Sequence, residues 1–250
     1  MTVHGSQLAV VKDYLFLVPG IDGTGQLFYR QIPGLEQRFT VTPTRLRDDA
    51  DSMEALVADL HTELTRVAGS RRVTLLGESF GGALTLSYAL AHPDRVERLV
   101  VLNSFAHFGS QRRLWLAYQL LRATPWRFMP VVRRLNARRM HSPQTEGEEI
   151  RRFHDLMRAT TRRGYLSRMR ILRSYDLRPR LPLVTAPVLY LAADRDTLVP
   201  SVEQARLMSA LTPGATMRVL EGHGHSCLIA PDINLSAILD EWLERPHADR

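Results

Sequence analysis

A serine with glycine two places before it and two places after, set where an apolar run gives way to a helical pattern, leaves a chain few ways to fold. The stretch runs from Leu75 to Leu90, LLGESFGGALTLSYAL, with Gly77-Glu78-Ser79-Phe80-Gly81 at its centre. A strand that turns at once into a helix crowds the positions flanking the turn. Side chains there would strike the neighbouring strand and helix, and glycine removes them. Such a turn lifts the Ser79 hydroxyl above the sheet at the N-terminus of the next helix. Free N–H groups and the helix dipole favour developing negative charge at that place. The motif is a nucleophile elbow only if a strand precedes it and a helix follows.

Short runs rich in β-branched residues supply that context. Tyr14–Val18, Thr40–Thr44, Val73–Leu76, Val96–Leu102, Val188–Ala192 and Thr216–Leu220 read as buried strands. Helical patterns alternate with them. One covers Ser52–Ala68, with Asp51 as the expected N-cap and Glu54 three places on. Ser201 and Gln204 give a second capping-box signature, just after Pro200, and Asn234–Arg245 reads as a closing amphipathic helix. Alternation of this kind predicts an α/β fold with a mostly parallel central sheet flanked by helices. The regularity breaks between Phe105 and Tyr175, which holds helical patterns and no convincing strand. Residues 1–104 and 176–250 are therefore expected to form the core, and residues 105–175 a helical cap inserted on the C-terminal edge of the sheet.

A serine hydroxyl needs a base to take its proton, and the base needs a third group to hold it. Two later segments, YLAADRDTLVPS and LEGHGHSCLI, each leave a strand end on the edge that carries Ser79. In the first, Asp196 lies further into the loop than Asp194, which could merely cap the turn, and is preferred as the acid. In the second, His225 is preferred over His223, because Gly224 permits a tight turn immediately before it. Other histidines, such as His4 and His247, read as surface residues. Asn103 occupies a strand end where an alternative acid could sit, and asparagine cannot ionise. The loop LFLVPGIDGTGQLF has three glycines, Gly20, Gly23 and Gly25, that let backbone amides turn inward. Its Ile21 N–H and the Phe80 N–H are the expected oxyanion donors. It lacks a phosphate-cradle ending, and Asp22 would repel phosphate. Asp22 is expected to brace the loop by bonding to nearby amides.

Together these segments resemble the α/β-hydrolase superfamily: LVPGIDGTG, LLGESFGG, LAADRDTLVPS and GHGHS, spread from Leu17 to Ser226. Within it they look most like a branch with a Pro-Gly-(Ile/Leu)-Asp-Gly signature. That branch includes bacterial stand-alone hydrolases and the esterase/lipase-like halves of plant phytyl ester synthase-type proteins. The resemblance implies an α/β-hydrolase fold, with Ser79, Asp196 and His225 in the triad positions and Ile21 and Phe80 in the oxyanion positions. The plant relatives carry an acyltransferase region that this chain lacks. The segment 105–175 is the least transferable part of the likeness.

Charge singles out the same segment. The 250-residue chain carries a net charge of +7, yet Phe105 to Tyr175 alone holds 16 arginines against four acids, leaving the remainder mildly acidic. Part of that segment, RRLWLAYQLLRATPWRFMPVVRRL, is apolar on nearly all faces from Leu114 to Leu121. Such a helix must be buried or meet something greasy. Trp115, Trp126 and Phe128 read as cap core rather than substrate contacts. The arginines read as a solvated face or as a contact for an anionic membrane surface or a phosphate-bearing acyl donor. Nucleic acid is not an expected partner, since no recognition motif or regular interleaving of stacking aromatics accompanies the charge. No metal or other cofactor is expected. A single cysteine, Cys227, excludes an internal disulfide, and no signal peptide or spanning helix is legible. The expected location is cytoplasmic, with peripheral membrane contact through the cap. The leading expectation is a serine hydrolase that cleaves a carboxylic ester, the acyl group passing through Ser79 and His225 serving as base. Thioester cleavage and acyl transfer use the same intermediate. A non-catalytic binding protein that uses the basic cap is the reading from a different class.

Overall fold

The computed structural model describes residues 12–109 and 111–244; His4 and His247 lie outside them. The chain runs through β1 (Asp13–Val18), a short helix α1 (Ile32–Leu35) and β2 (Phe39–Pro43). It continues with α2 (Met53–Ala68), β3 (Val73–Glu78), α3 (Phe80–Ala91) and β4 (Val96–Leu102). Four helices follow without an intervening strand: α4 (Gln111–Ala123), α5 (Met129–Met140), α6 (Gly147–Leu156) and α7 (Arg162–Ile171). The chain then returns through β5 (Val188–Ala193), α8 (Ser201–Leu211), β6 (Thr216–Leu220) and α9 (Leu235–Glu244).

The six strands form one sheet in the order β2-β1-β3-β4-β5-β6, and every neighbouring pair is parallel. Successive side chains of a strand point to opposite faces, so a sheet covered on both sides reads as continuous apolar runs. The strands divide accordingly. Phe16, Val18, Leu75, Leu99, Val101, Val188 and Tyr190 join the core against α2, α3 and α8. Leu15, Leu17, Leu76, Val100, Leu102, Leu189 and Leu191 join the second core, with Leu35, Leu239 and Trp242 of α1 and α9. Because all strands run the same way, the loops after β1, β3, β5 and β6 gather on one edge. That is the edge where open parallel sheets carry their sites.

Between β4 and β5 the only pairing among the described residues is an isolated antiparallel bridge between His107 and Asp176. Leu177 N–H donates to Ala106 O at 2.8 Å beside it. The four helices therefore leave and rejoin the sheet through one neck.

Four local expectations fail, each for a visible reason. Among the histidines expected at the surface, His141 is buried, packed edge-on against Phe153. Ser52, not Asp51, caps α2: it is extended, and its hydroxyl accepts from Ala55 N–H at 3.2 Å. Ser201 and Gln204 do not form a capping box. The Ser201 hydroxyl donates to Asp196, and Gln204 Oε1 accepts from Ala106 N–H at 3.2 Å, so tertiary partners take both side chains. Trp115 and Phe128 are not cap core; each is 47% exposed. Only Trp126 is partly covered, with its ring tilted against Tyr165 and the Arg133 guanidinium over it.

Candidate active site

Ser79 sits between β3 and α3 with φ 54° and ψ −117°, a left-handed conformation rare outside glycine. Hydrogen bonds around it hold the turn. Ser79 N–H donates to Leu102 O at 2.8 Å, while Ser79 O accepts from Gly82 N–H at 3.0 Å and from the Ser104 hydroxyl at 2.7 Å. The flanking glycines are demanded by backbone. A Cβ on Gly77 would lie 2.3 Å from Gly81 O, and one on Gly81 would lie 2.1 Å from Val18 O.

The structure brings Ser79, His225 and Asp196 into a line. His225 Nε2 is 3.1 Å from Ser79 Oγ, and His225 Nδ1 is 2.6 Å from Asp196 Oδ2. A carboxylate can only accept, so Nδ1 carries the proton and Nε2 is left to accept from the hydroxyl. Asp196 also accepts from Leu198 N–H at 2.9 Å, from Val199 N–H at 3.0 Å and from the Ser201 hydroxyl. Burial alone would raise the Asp196 carboxyl, but the His225 charge and these donors outweigh it and hold it below the ordinary range. Burial alone would lower the His225 imidazole. The Asp196 charge and hydrogen bond, joined by the Glu78 charge, leave it raised instead.

Asp194 and His223 stand outside this line and serve as braces. Asp194 Oδ1 accepts from Gly222 N–H at 2.7 Å and His223 N–H at 3.2 Å, tying the β5 loop to the β6 loop. His223 Nδ1 meets the Ser142 hydroxyl at 2.9 Å, a contact from the helical segment between β4 and β5. Asn103, in a left-handed conformation at the end of β4, bridges the same two loops. Its Oδ1 accepts from Ala193 N–H at 2.7 Å and its Nδ2 donates to His225 O at 2.9 Å. The buried Cys227 thiol lies 3.4 Å from that amide, and burial pushes its titration far up.

On the first loop, Gly23 N–H donates to Gly20 O at 3.0 Å. In a trans peptide the carbonyl and the next N–H point opposite ways, so this turn aims the Ile21 N–H away from the loop interior. Phe80 N–H is the first of α3, without an intrahelical acceptor. Neither N–H is bonded to another group among the described residues. Asp22 does brace the loop: its Oδ2 accepts from Thr24 N–H at 2.9 Å and the Thr24 hydroxyl at 2.6 Å. Burial raises its carboxyl despite those donors and the Arg168 charge.

Sequence reasoning missed two charged residues here. Arg168 of α7 is completely buried and grips the loop from behind, with Nη1 on Ile21 O at 3.1 Å and Nη2 on Leu46 O at 3.0 Å and Asp48 Oδ1 at 2.9 Å. Nothing in the spacing separates it from the other arginines of its segment. Glu78 stood in plain view inside the elbow motif, yet its carboxylate lies 3.5 Å from His225 Nε2. Among the described residues no group of three or more His, Cys, Asp or Glu side chains has metal-binding geometry, and no helix is long and apolar enough to cross a membrane.

Comparison with known proteins places this geometry in context. The family model for serine aminopeptidase S33 (Hydrolase_4) matches residues 42–232. The protein named "Putative carbamate hydrolase RutD" in Yersinia enterocolitica is 29% identical over 254 residues, covering 91% of this chain and 86% of the relative. The protein of that name in Serratia proteamaculans is 29% identical over 248 residues, covering 92% and 90%. Among solved structures, an esterase from Exiguobacterium antarcticum superimposes with a TM-score of 0.82 at 18% identity, covering 94% of this chain and 93% of that one. The enol-lactonase from Burkholderia xenovorans LB400 gives 0.81 at 21% identity, covering 94% and 92%. At such identities the likeness establishes the α/β-hydrolase fold and nothing finer.

Proposed function

The chain belongs to the serine aminopeptidase S33 family of α/β hydrolases, and from that premise we propose that it cleaves a carboxylic ester through an acyl-enzyme on Ser79. The observation that carries this reading is the line of Ser79 Oγ, His225 and Asp196, with contacts of 3.1 and 2.6 Å. In acylation His225 Nε2 takes the hydroxyl proton as Ser79 Oγ bonds the acyl carbon. Asp196 stays ionised at Nδ1 and stabilises the imidazolium. The oxyanion is held by the N–H groups of Ile21 and Phe80, two donors fixed before substrate arrives. The Nε2 proton then passes to the leaving oxygen as its bond to carbon breaks. Water deprotonated by His225 releases the acid and restores Ser79.

RutD relatives bear the name of carbamate hydrolases, and a carbamoyl group could traverse the same intermediate. The cap favours a greasier substrate. Trp115, Leu116 and Leu120 share one exposed face of α4, with Phe128, Val131 and Val132 exposed just beyond, and Arg112, Arg122 and Arg127 also exposed. That combination suits peripheral contact with an anionic lipid surface from which acyl esters are drawn. The test is labelling with a fluorophosphonate probe, followed by initial rates on p-nitrophenyl esters, carbamates and acyl-CoAs of increasing chain length. Labelling of wild type but not of Ser79→Ala, with esters turned over fastest, is expected. Absent labelling, or equal labelling of the variant, refutes the serine mechanism; a preference for carbamates refutes the ester.

A further inference from the structure

Glu78 is a half-buried ionisable group beside His225 that the mechanism above leaves unused. It is the last residue of β3, its side chain is 12% exposed, and its Oε1 lies 3.5 Å from His225 Nε2, the atom that accepts the Ser79 proton. The chain makes room for it. A Cβ at Gly20 would come within 2.4 Å of Glu78 Oε2 and 3.4 Å of Ser79 Cβ, so the glycine opens a niche at the mouth of the site.

We propose that Glu78 is a second counter-ion for the catalytic imidazole, facing Nε2 as Asp196 faces Nδ1, and that it governs the pH range over which His225 works. The inference rests on the serine mechanism proposed above. When His225 takes the hydroxyl proton, the new positive charge lies between two carboxylates. Glu78 neither gains nor loses a proton in the cycle; it lowers the energy of the imidazolium while Nε2–H awaits transfer to the leaving oxygen.

The groups facing Glu78 decide which acid does this near neutrality. His225 approaches from the β6 loop, Asp22 from the β1 loop and Asp196 from the β5 loop, and the Gly20 backbone lies against it. Asp196 and Glu78 beside one imidazole, with Asp22 acting on Glu78 as a third carboxylate, cannot all be ionised cheaply. Asp196 has two amides, a hydroxyl and the imidazole as donors, and Asp22 has the Thr24 amide and hydroxyl. Glu78 is the least supported, and burial pushes its carboxyl up to about 7 against the opposing His225 charge. Its ionisation and that of His225 are coupled, and the activity profile reports the pair.

The experiment compares kcat/KM and kcat between pH 5 and 10 on a soluble p-nitrophenyl ester for wild type, Glu78→Gln and Glu78→Asp. Removing a negative charge beside an imidazole lowers its pKa, so in Glu78→Gln the acid limb moves down by on the order of one pH unit. The alkaline plateau of kcat falls about tenfold, since a less stabilised imidazolium makes a weaker base. Glu78→Asp keeps a charge and retains an acid limb nearer the wild-type position. An unmoved acid limb in Glu78→Gln, or a uniform loss of rate at every pH, overturns the proposal and leaves Glu78 a packing residue. Fluorophosphonate labelling separates the two layers. A variant that still labels Ser79 while its profile stays fixed sinks only the role of Glu78, whereas unlabelled wild type sinks the serine mechanism itself.

Discussion

Replacing Arg168 by Met should cost more than any other single change in the helical segment between β4 and β5. The guanidinium is fully buried and bonded to Ile21 O, Asp22 O, Leu46 O, Arg47 O and Asp48 Oδ1 at 3.1, 3.4, 3.0, 3.2 and 2.9 Å. Methionine fills much of the same volume and supplies no donor. Breaking a buried ion pair from one side costs about 3–5 kcal/mol. Asp48 is 31% exposed and rehydrates in part, which favours the lower end. Asp22 is 5% exposed, loses its nearest positive charge and cannot rehydrate. The expected loss is about 3–4 kcal/mol by urea unfolding, near 10 °C of thermal midpoint in a chain of this size. Activity should suffer in a particular way. The Arg168 grip on Ile21 O fixes the backbone beside the Ile21 N–H, and loss of an oxyanion donor costs about 10²–10³ in kcat. A loosened donor should cost about tenfold, in kcat more than in KM. Arg168→Lys keeps the charge but cannot span Ile21 and Asp48 at once, and should fall between. A loss below about 1 kcal/mol with kcat intact would refute the clamp.

Other changes carry equally definite outcomes. Asp196→Asn keeps the shape but reverses the preferred imidazole tautomer, so kcat should fall by about 10³–10⁴ in a chain that still folds, with some loss of stability near neutrality because the ionised carboxylate is favoured in the fold. Gly81→Ala drives a methyl against the Val18 carbonyl and should destabilise by about 2–3 kcal/mol in chemical unfolding. Glu78→Gln should raise the thermal midpoint at pH 8 and leave it unchanged near pH 4. The folded-state value of about 7 lies above that of a free carboxyl, so the native side chain loses stability as pH rises between the two. Leu116→Asp with Leu120→Asp should abolish co-sedimentation with anionic vesicles while sparing turnover of a short soluble ester.

Legibility in the sequence followed the range of the interaction. The strands were readable because a sheet buried on both faces writes its pattern into consecutive residues, as in Leu15, Phe16, Leu17 and Val18. The elbow was readable because Gly77 and Gly81 answer a clash within a few residues of Ser79. The loops holding Asp196 and His225 were readable because each follows a strand end. Arg168 was not, since its partners lie more than a hundred residues away and it shares its residue type with every solvated arginine around it. Trp115 and Phe128 misled for the opposite reason: aromatic residues at helical spacing look like core whether or not anything covers them.

What escaped the sequence alters how the helical segment should be understood. Ser142 holds His223, Met140 O accepts from Ser226 N–H at 2.9 Å, and Arg168 grips Ile21. The segment therefore touches the loop that carries His225 and the loop that carries Ile21. A lid that only covered substrate could be exchanged between relatives with a change of specificity and no change of rate. Here an exchanged segment removes polar partners from both loops, and in the proposed mechanism the oxyanion and the imidazole then lose their alignment together. In the proposed mechanism substrate selection and transition-state stabilisation are coupled through these three contacts, so variation in this segment is expected to act on kcat as well as on KM.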